Sequence, residues 1–394
     1  MRAVQKIAEK LRGCGLEKIH GARQKAVFFA VEALLRGKRL GVNALGRSGR
    51  SSTTLKHQIK RIDRLLGNRR LYAERGEFVG ALARFLWRGQ RHPRLLVDWT
   101  KLPQGRWALC AATPVGGRAI LLYSEVYSSF EVNQRRVLER FVVRLARCLQ
   151  LTQQVPVVIT DAGFQGPWFD AVVRQGWHYL GAVPSTWQLR TAQSSCWQRV
   201  HTLFHRALRT SVDLGMCRVG RWRPAVVRRV ILSPPCRSRH KSRSHYLSPH
   251  KKWGTQTYAR KRAARPHVLM TSITDGSVAP LVTAYRTRMQ IEETFRDLKN
   301  SRFGWGLTLC RSRTTPRWEL LLLLASLTLL VVATIGLGLQ NQSSILPFQA
   351  NTLRSRHVLS WFVLATTLLQ LHPHLLRSLH LPAAFQHLQC SSSK

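Results

Sequence analysis

Apolar side chains in the first 90 residues recur at the spacing of amphipathic helices. Three segments follow this pattern: Arg23–Arg36, Val42–Leu45 and Leu55–Leu66. Hydroxyl side chains at residues 51–54 can cap the third segment, and Gly67 can end it. The apolar face of this third helix is predicted to hold Leu55, Ile59, Ile62 and Leu66. We therefore predict a helical domain over residues 1–90.

From residue 91 the pattern changes to short apolar runs separated by turns, which is typical of strands. Five strands are predicted, at 94–97, 107–113, 119–127, 155–160 and 177–183, with helices at 130–149 and after Pro167. The order β-β-β-α-β-α-β is that of a ribonuclease-H-like domain. Asp98 follows the first strand and Asp161 follows the fourth, and the ends of these two strands are neighbours in such a sheet. We therefore predict that Asp98 and Asp161 lie side by side.

Residues 187–265 are basic and divide the predicted domain in two. They hold four tryptophans, at 187, 197, 222 and 253, which either stack on nucleic-acid bases or form the core of this insertion. A strand returns at 267–273, and a helix follows it. The predicted architecture is α/β, with a ribonuclease-H-like domain at 91–186 and 266–340. A β-rich insertion at 187–265 interrupts it, and a C-terminal helical tail at 341–394, interpreted as peripheral, follows.

The segment Leu320–Leu339 is apolar over the length of a membrane-spanning helix. It directly follows a basic helix and has no partner span. We interpret it as a buried helix of a large domain and expect no membrane association, with a membrane-associated basic protein as the alternative.

The charge of the chain requires a polyanionic partner. Of its 394 residues, 63 are Lys or Arg and 18 are Asp or Glu, a formal net charge of +45. Nucleic acid is the first expectation, because phosphate contacts release counterions, and an anionic membrane surface is the alternative. Lys60, Arg61 and Arg64 then favour DNA contact by the N-terminal helices in the manner of a helix-turn-helix, although a small bundle with a solvated basic face has the same pattern.

The cysteine spacing and the N-terminal sequence predict the redox state of the thiols and the cellular compartment. The 8 cysteines include no CxxC pair, so neither a zinc ribbon nor a redox motif is indicated. The first 13 residues lack the apolar centre of a signal peptide. We expect reduced thiols and a cytoplasmic location.

The segment Tyr285–Lys299 carries the most reactive pattern in the chain. On one continuous helix, at about 100° per residue, four side chains share a narrow face: Tyr285, Arg288, Glu292 and Lys299. One carboxylate among a phenol, a guanidinium and an ammonium suits a site where a metal meets a phosphate. The alternative is an ordinary amphipathic helix with i,i+4 ion pairs.

Asp98, Asp161 and Glu292 together supply oxygen ligands for two Mg²⁺ ions. Two such ions can activate a nucleophile and stabilise the leaving oxygen of a phosphodiester. A capping role for Asp98 and an Asx-turn at Asp161 are the structural alternatives.

These motifs resemble one group of bacterial insertion-sequence transposases with a DDE triad. The spacing Tyr285-x2-Arg288-x3-Glu292-x6-Lys299 matches the YREK signature of that group, which includes the enzymes of transposons ten and five. The resemblance to the transposon-ten type extends over roughly residues 20–355 and includes VDWT at Asp98, TDAGF at Asp161 and KRIDRLLGNRRL at 60–71.

The resemblance implies cut-and-paste transposition. Asp98, Asp161 and Glu292 would hold two Mg²⁺ ions, with Mn²⁺ as a substitute, and Tyr285, Arg288 and Lys299 would grip phosphates. The DNA ends would be cut through a hairpin and joined to target DNA by a homodimer at the bacterial nucleoid.

One position departs from the family pattern. In the relatives, a tryptophan just before the returning strand receives a base that flips out of the DNA. This chain has His267 at that position. Either Trp253 takes the role of that tryptophan, or this protein handles the hairpin differently. The alternative function is a basic nucleic-acid-binding protein without catalysis, such as a decayed transposase.

Overall fold

The computed structural model describes residues 2–164, 166–207, 209–220, 226–235, 266–340, 342, 345, 348 and 358–393. The chain forms two compact units of mixed helices and strands. The first comprises Met1–Val157, Arg174–Trp177 and Thr287–Lys394, and the second comprises Val158–Val173 and His178–Arg286.

The described residues contain thirteen α-helices. They are α1 (Arg2–Arg12), α2 (Gly21–Gly37), α3 (Val42–Ser48), α4 (Leu55–Leu66), α5 (Arg69–Ala73), α6 (Arg75–Leu86), α7 (Arg135–Leu149), α8 (Gly166–Arg174), α9 (Val278–Arg286), α10 (Met289–Lys299), α11 (Thr315–Leu339), α12 (Trp361–Leu371) and α13 (Leu381–Ser393). Short 3-10 helices lie at Leu16–Lys18, Ser129–Glu131, Gln150–Thr152, Val200–Ala207, Leu307–Leu309 and Pro373–Ser378.

The same residues contain ten strands. They are β1 (Arg94–Lys101), β2 (Arg106–Val115), β3 (Arg118–Ser128), β4 (Val157–Thr160), β5 (His178–Ala182), β6 (Gln188–Arg190), β7 (Gln198–Arg199), β8 (Val212–Val219), β9 (Val226–Ser233) and β10 (His267–Thr271). The order of β1, β2, β3, α7, β4, α8 and β5 along the chain is the predicted one.

The N-terminal helices of the first unit follow the apolar periodicity. The three predicted helices are confirmed as α2, α3 and α4. Helices α3 and α4 come very close at Gly46, where an added Cβ would lie 2.6 Å from the Cα of Ile59. The predicted apolar face of α4 is wrong at one end: Leu55 is 44% exposed, whereas Leu65 is buried. The buried residues of α4 are Gln58, Ile62, Leu65 and Leu66, so the predicted face holds at Ile62 and Leu66.

Strands β1, β2 and β3 form an antiparallel meander in the first unit. The expectation that the first strand ends before Asp98 is wrong. Pairing continues to Lys101, which lies opposite Trp107, because the ladder satisfies the backbone groups on both sides of Asp98. Asp98 is therefore a strand residue, directly opposite Cys110.

Strand β3 lies at one edge of the sheet, and α10 covers that edge. The hydroxyl of Thr294 accepts from the backbone N–H of Ala119 at 2.7 Å and donates to its C=O at 2.9 Å. Arg118, the first residue of β3, pairs with Asp297 at 2.6 Å. The contacts of Thr294 and of Arg118 thus hold α10 on β3. The backbone N–H and C=O of Ala119 are both hydrogen-bonded to Thr294.

Helix α11 is long and apolar enough to cross a membrane, yet its apolar window is entirely buried within the first unit. Its Ser326 hydroxyl donates to the backbone C=O of Leu121 in β3. At Gly336 an added Cβ would lie 2.3 Å from the carbonyl oxygen of Trp361. This burial supports the interpretation as a core helix.

The described residues 358–393 of the C-terminal tail form α12 and α13. The interpretation of the tail as peripheral is wrong, because Trp361 and Phe362 are almost fully buried. The indole N–H of Trp361 also donates to the C=O of Val115 in β2, at 2.8 Å. The tail is thus part of the core of the first unit.

The second unit contains strands in the order β4-β5-β10-β9-β8-β6-β7. Strand β10, the predicted returning strand, pairs antiparallel with β5 and β9. The ring of Phe169 in α8 fills the space above Gly181 in β5, where a Cβ would meet it at 2.4 Å. Residues 221–225 and 236–265, with Trp222 and Trp253, lie outside the described residues.

Candidate active site

Two carboxylates of the first unit share one cation. The Arg288 Nη1 atom lies 2.6 Å from Glu292 Oε1 and 3.6 Å from Asp98 Oδ2. The Arg288 and Asp98 side chains are each only 15% exposed, and that of Glu292 is 39% exposed. Two predicted catalytic residues, Asp98 and Glu292, thus share the positive charge of a third predicted site residue, Arg288.

The strand meander positions Asp98. Cys110 of β2 lies opposite Asp98 of β1, and Ser124 of β3 lies opposite Cys110, so three polar side chains form one row across the strands. The Asp98 carboxylate also accepts from the backbone N–H of Trp99 at 2.8 Å. These contacts give the carboxylate a fixed place on a rigid strand.

Helix α10 positions the other two residues. Arg288 is its N-cap residue, and Glu292 lies in its first turn. A negative charge in the first turn is stabilised by the positive end of the helix dipole. Lys299 ends the helix, where a positive charge is favoured. The polarity of the helix thus suits Glu292 and Lys299, whereas the positive charge of Arg288 at the N-terminal end is offset by its carboxylate partners.

The prediction of one helix from Tyr285 to Lys299 is wrong. Helix α9 ends at Arg286 and α10 begins at Met289. Between them, Gln290 N–H donates to Thr287 C=O and Ile291 N–H donates to Arg288 C=O, which is the three-residue spacing of a turn. Only Arg288, Glu292 and Lys299 therefore keep the predicted helical relation.

Lys299, at the end of α10, lies near Cys110 and Asp98. Burial lowers the pKa of its ammonium, while the nearby Cys110 and Asp98 act in the opposite direction. Burial raises the pKa of the Cys110 thiol to about 12, so Cys110 is a neutral thiol at physiological pH. An ammonium, a carboxylate and an uncharged thiol thus lie near one another.

Asp161 and Tyr285 belong to the second unit. Asp161 follows β4 directly, as predicted, and its carboxylate accepts from the N–H of Gly163 at 2.9 Å, which is the Asx-turn considered above. The Tyr285 side chain is buried, and its ring centre lies 6.0 Å from that of His267. His267 and Tyr285 are thus aromatic neighbours within the second unit.

The predicted DNA-contacting residues of α4 are exposed. The guanidinium of Arg61 lies 3.9 Å above the ring of Phe29, whereas neighbouring Asp63 pairs with Arg317. Lys60 and Arg64 complete the basic face. Trp253 lies outside the described residues.

The donor atoms at Asp98 and Glu292 suit a hard divalent cation. Both are carboxylates, and they already face one positive charge. Among the described residues, no group of three or more His, Cys, Asp or Glu side chains is arranged to hold a metal ion. The two carboxylates are therefore a partial ligand set, and the prediction that Asp161 completes it stays a prediction.

The sequence reasoning missed Thr294 and the Arg118–Asp297 pair. Thr294 lies in the apolar stripe of α10, between Ile291 and Phe295, and is fully buried. A single polar residue within an apolar stripe indicates a buried hydrogen bond, and this signal was available in the sequence.

The family model described as "Transposase DDE domain" matches residues 90–329, more than half of the 394 residues. The chain belongs to this DDE transposase family. It is thus a transposase, an enzyme that acts in DNA transposition. The matched segment contains the Asp98–Arg288–Glu292 cluster and also Asp161.

Among solved structures, the transposase is similar to a piggyBac transposase synaptic complex with hairpin DNA, determined by cryo-electron microscopy. The identity is 11%, the TM-score is 0.36, and the match covers 100% of this chain and 77% of that chain. A likeness at this level carries no argument about mechanism. No curated protein matches the chain.

Proposed function

We propose that this transposase catalyses cut-and-paste transposition of a bacterial insertion sequence, as a member of the YREK group of the transposon-ten type. The catalytic residues are Asp98, Asp161 and Glu292. The single observation that carries the proposal is the convergence of Asp98 and Glu292 on one cation. Two partly buried carboxylates that approach the same group repel each other unless a positive charge lies between them.

The cofactor of the proposed reaction is Mg²⁺, with Mn²⁺ as a substitute. Two ions held by Asp98, Asp161 and Glu292 would activate the attacking hydroxyl and neutralise the leaving oxygen. Arg288, Lys299 and Tyr285 supply donors for the phosphates beside the cut. The half-buried position of Lys299 strengthens such a contact because little water competes there.

The proposed reaction has four stages. One strand is hydrolysed at the element end, and the freed 3′-hydroxyl attacks the opposite strand to give a hairpin. Hydrolysis reopens the hairpin, and the same 3′-hydroxyl then joins target DNA. In this proposal Trp253 replaces the tryptophan that receives a flipped base in the relatives, or hairpin handling differs, because this chain has His267 at that position.

The remaining features of the proposal concern assembly. The catalytic domain is ribonuclease-H-like and is interrupted by the basic insertion at 187–265. The helices of residues 1–90 bind the terminal inverted repeats through Lys60, Arg61 and Arg64, and Trp253 stacks on DNA. The active form is a homodimer on paired ends in the cytoplasm, at the nucleoid.

A cleavage assay tests the function. The substrate is a labelled duplex of the DNA that flanks the coding sequence, incubated with Mg²⁺ and the full-length protein. We expect a nick at the element end followed by a hairpin, and loss of both in Asp161→Ala and Glu292→Gln. Glu293→Gln is the matched control, because Glu293 is adjacent to Glu292 but pairs with Arg296 at 2.8 Å.

The outcomes separate the candidate functions. Metal-dependent cleavage by Glu292→Gln would contradict the assignment of that residue. Binding of the duplex without cleavage by the wild-type protein would favour the alternative of a nucleic-acid-binding protein without catalysis.

A further inference from the structure

The cation between the carboxylates comes from the protein itself. Arg288 Nη1 lies 2.6 Å from Glu292 Oε1, which is the distance of a charge-assisted hydrogen bond. Its 3.6 Å distance to Asp98 Oδ2 makes it a counter-ion for both groups. Oxygens engaged by a guanidinium cannot coordinate a metal ion with the same lone pairs. A metal ion that binds at Glu292 Oε1 must therefore displace Arg288 from that oxygen.

The guanidinium of Arg288 competes with a metal ion for the carboxylate at every physiological pH. Its pKa is above 12, so no physiological change of pH removes its charge. An arginine in this position can leave the carboxylates only by moving to another anion. Arg288 is the N-cap residue of α10, and its backbone C=O accepts from the N–H of Ile291, so its side chain can change partner without breaking this bond.

We propose that Arg288 is an internal counter-ion that holds the Asp98 and Glu292 carboxylates in the absence of DNA and is displaced when metal and a DNA phosphate arrive together. This inference rests on the proposed function. It adds that metal binding and DNA binding are coupled through one side chain, because a phosphate gives the displaced guanidinium a new partner. Coupling of this kind is reciprocal, so each ligand strengthens the other by the same factor.

Metal affinity, measured apart from activity, tests the inference. Free Mn²⁺ is titrated by electron paramagnetic resonance against the full-length protein without DNA. We expect Arg288→Gln to bind Mn²⁺ about tenfold or more tightly than wild type. Arg296→Gln is the matched control, because Arg296 lies on the same helix and pairs with Glu293 rather than with either site carboxylate.

A second variant separates direct occupancy from general repulsion between positive charges. Arg288→Lys keeps the charge but replaces a planar fork by a single ammonium, which cannot reach both carboxylates in the same way. Direct occupancy predicts tighter Mn²⁺ binding by Arg288→Lys as well. If Arg288→Lys binds as wild type does and only Arg288→Gln gains affinity, the effect is electrostatic and direct competition is wrong.

The coupling gives a third readout. Addition of the flanking-DNA duplex should raise the Mn²⁺ affinity of wild type by about 5- to 150-fold, the usual range for coupled sites. In Arg288→Gln this gain should be largely lost. Equal affinities of Arg288→Gln and Arg296→Gln, or an unchanged gain with DNA, would overturn the inference.

The proposed function fails in a different way. Its carboxylate assignment is wrong if Asp98→Asn and Glu292→Gln bind Mn²⁺ as wild type does. It survives if these variants lose binding while Arg288→Gln behaves as the control, in which case only the counter-ion role is refuted. Absence of measurable binding in every variant, with and without DNA, would refute both.

Discussion

Thr294 offers a sharp test of how the active-site helix is held. Its hydroxyl binds the N–H and the C=O of Ala119, at 2.7 and 2.9 Å, and both residues are fully buried. Thr294→Val keeps the shape of the side chain but leaves these two backbone groups without the partner. An unsatisfied buried polar group costs ~1–3 kcal/mol, so we expect a loss of ~2–6 kcal/mol in the free energy of unfolding.

Thr294→Ser is the matched control because it retains the hydroxyl and loses one methyl group. Its expected cost is about 1 kcal/mol, the value of one buried carbon. Urea unfolding followed by tryptophan fluorescence measures both variants, and equal m-values would show that the same surface is exposed. Since α10 carries Glu292, Thr294→Val should also weaken DNA cleavage under conditions where the protein is folded. Equal stability of the two variants would refute the argument that this hydroxyl anchors the helix.

Two further predictions follow from the first unit. Gly46→Ala should destabilise the protein by ~1–3 kcal/mol, because its Cβ would lie 2.6 Å from the Cα of Ile59; Gly21→Ala, which has open space, should cost nothing measurable in the same thermal unfolding assay. Burial lowers the pKa of Lys299 from 10.5, so the unfolded chain holds this proton to higher pH. Stability should therefore rise with pH between the folded and unfolded pKa values of Lys299, relative to Lys299→Arg. As the pH rises through the same range, wild-type Lys299 loses its charge and its contact with a DNA phosphate, whereas Lys299→Arg keeps both. The slope of log binding constant against log salt concentration should therefore fall by about 0.9 in wild type only. Equal slopes in the two proteins would contradict this role.

Much of the secondary structure could be predicted from periodicity. The helix α4 spans the predicted residues, and the order of strands and helices from β1 to β5 is as expected. The exact ends of the strands could not be predicted in the same way. Asp98 looked like a residue beyond a strand because it is charged, whereas pairing with β2 extends the strand past it. Tertiary pairing, not local polarity, determined where β1 ends.

The candidate site was predictable where spacing alone decides it. The i,i+4 relation of Arg288 and Glu292 is a local property of a helix, and the structure has it. The break after Arg286 was not predictable from composition, since no Gly or Pro occurs in Tyr285–Lys299. The approach of Asp98 to Arg288 joins residues 190 positions apart in sequence and depends on the packing of α10 on the strands. No periodicity carries such information.

Helix α11 has a consequence for synthesis of the protein. Its Ser326 contacts β3, and Trp361 contacts β2. Strands β2 and β3 are therefore translated long before the residues that pack on them. A nascent chain that ends before residue 315 exposes the apolar surfaces that α11 covers. A stop codon just before residue 315 should thus be as damaging as one near the start of the reading frame. Copies of the element that lose only their 3′ coding sequence would be expected to make an aggregating product rather than a weaker enzyme.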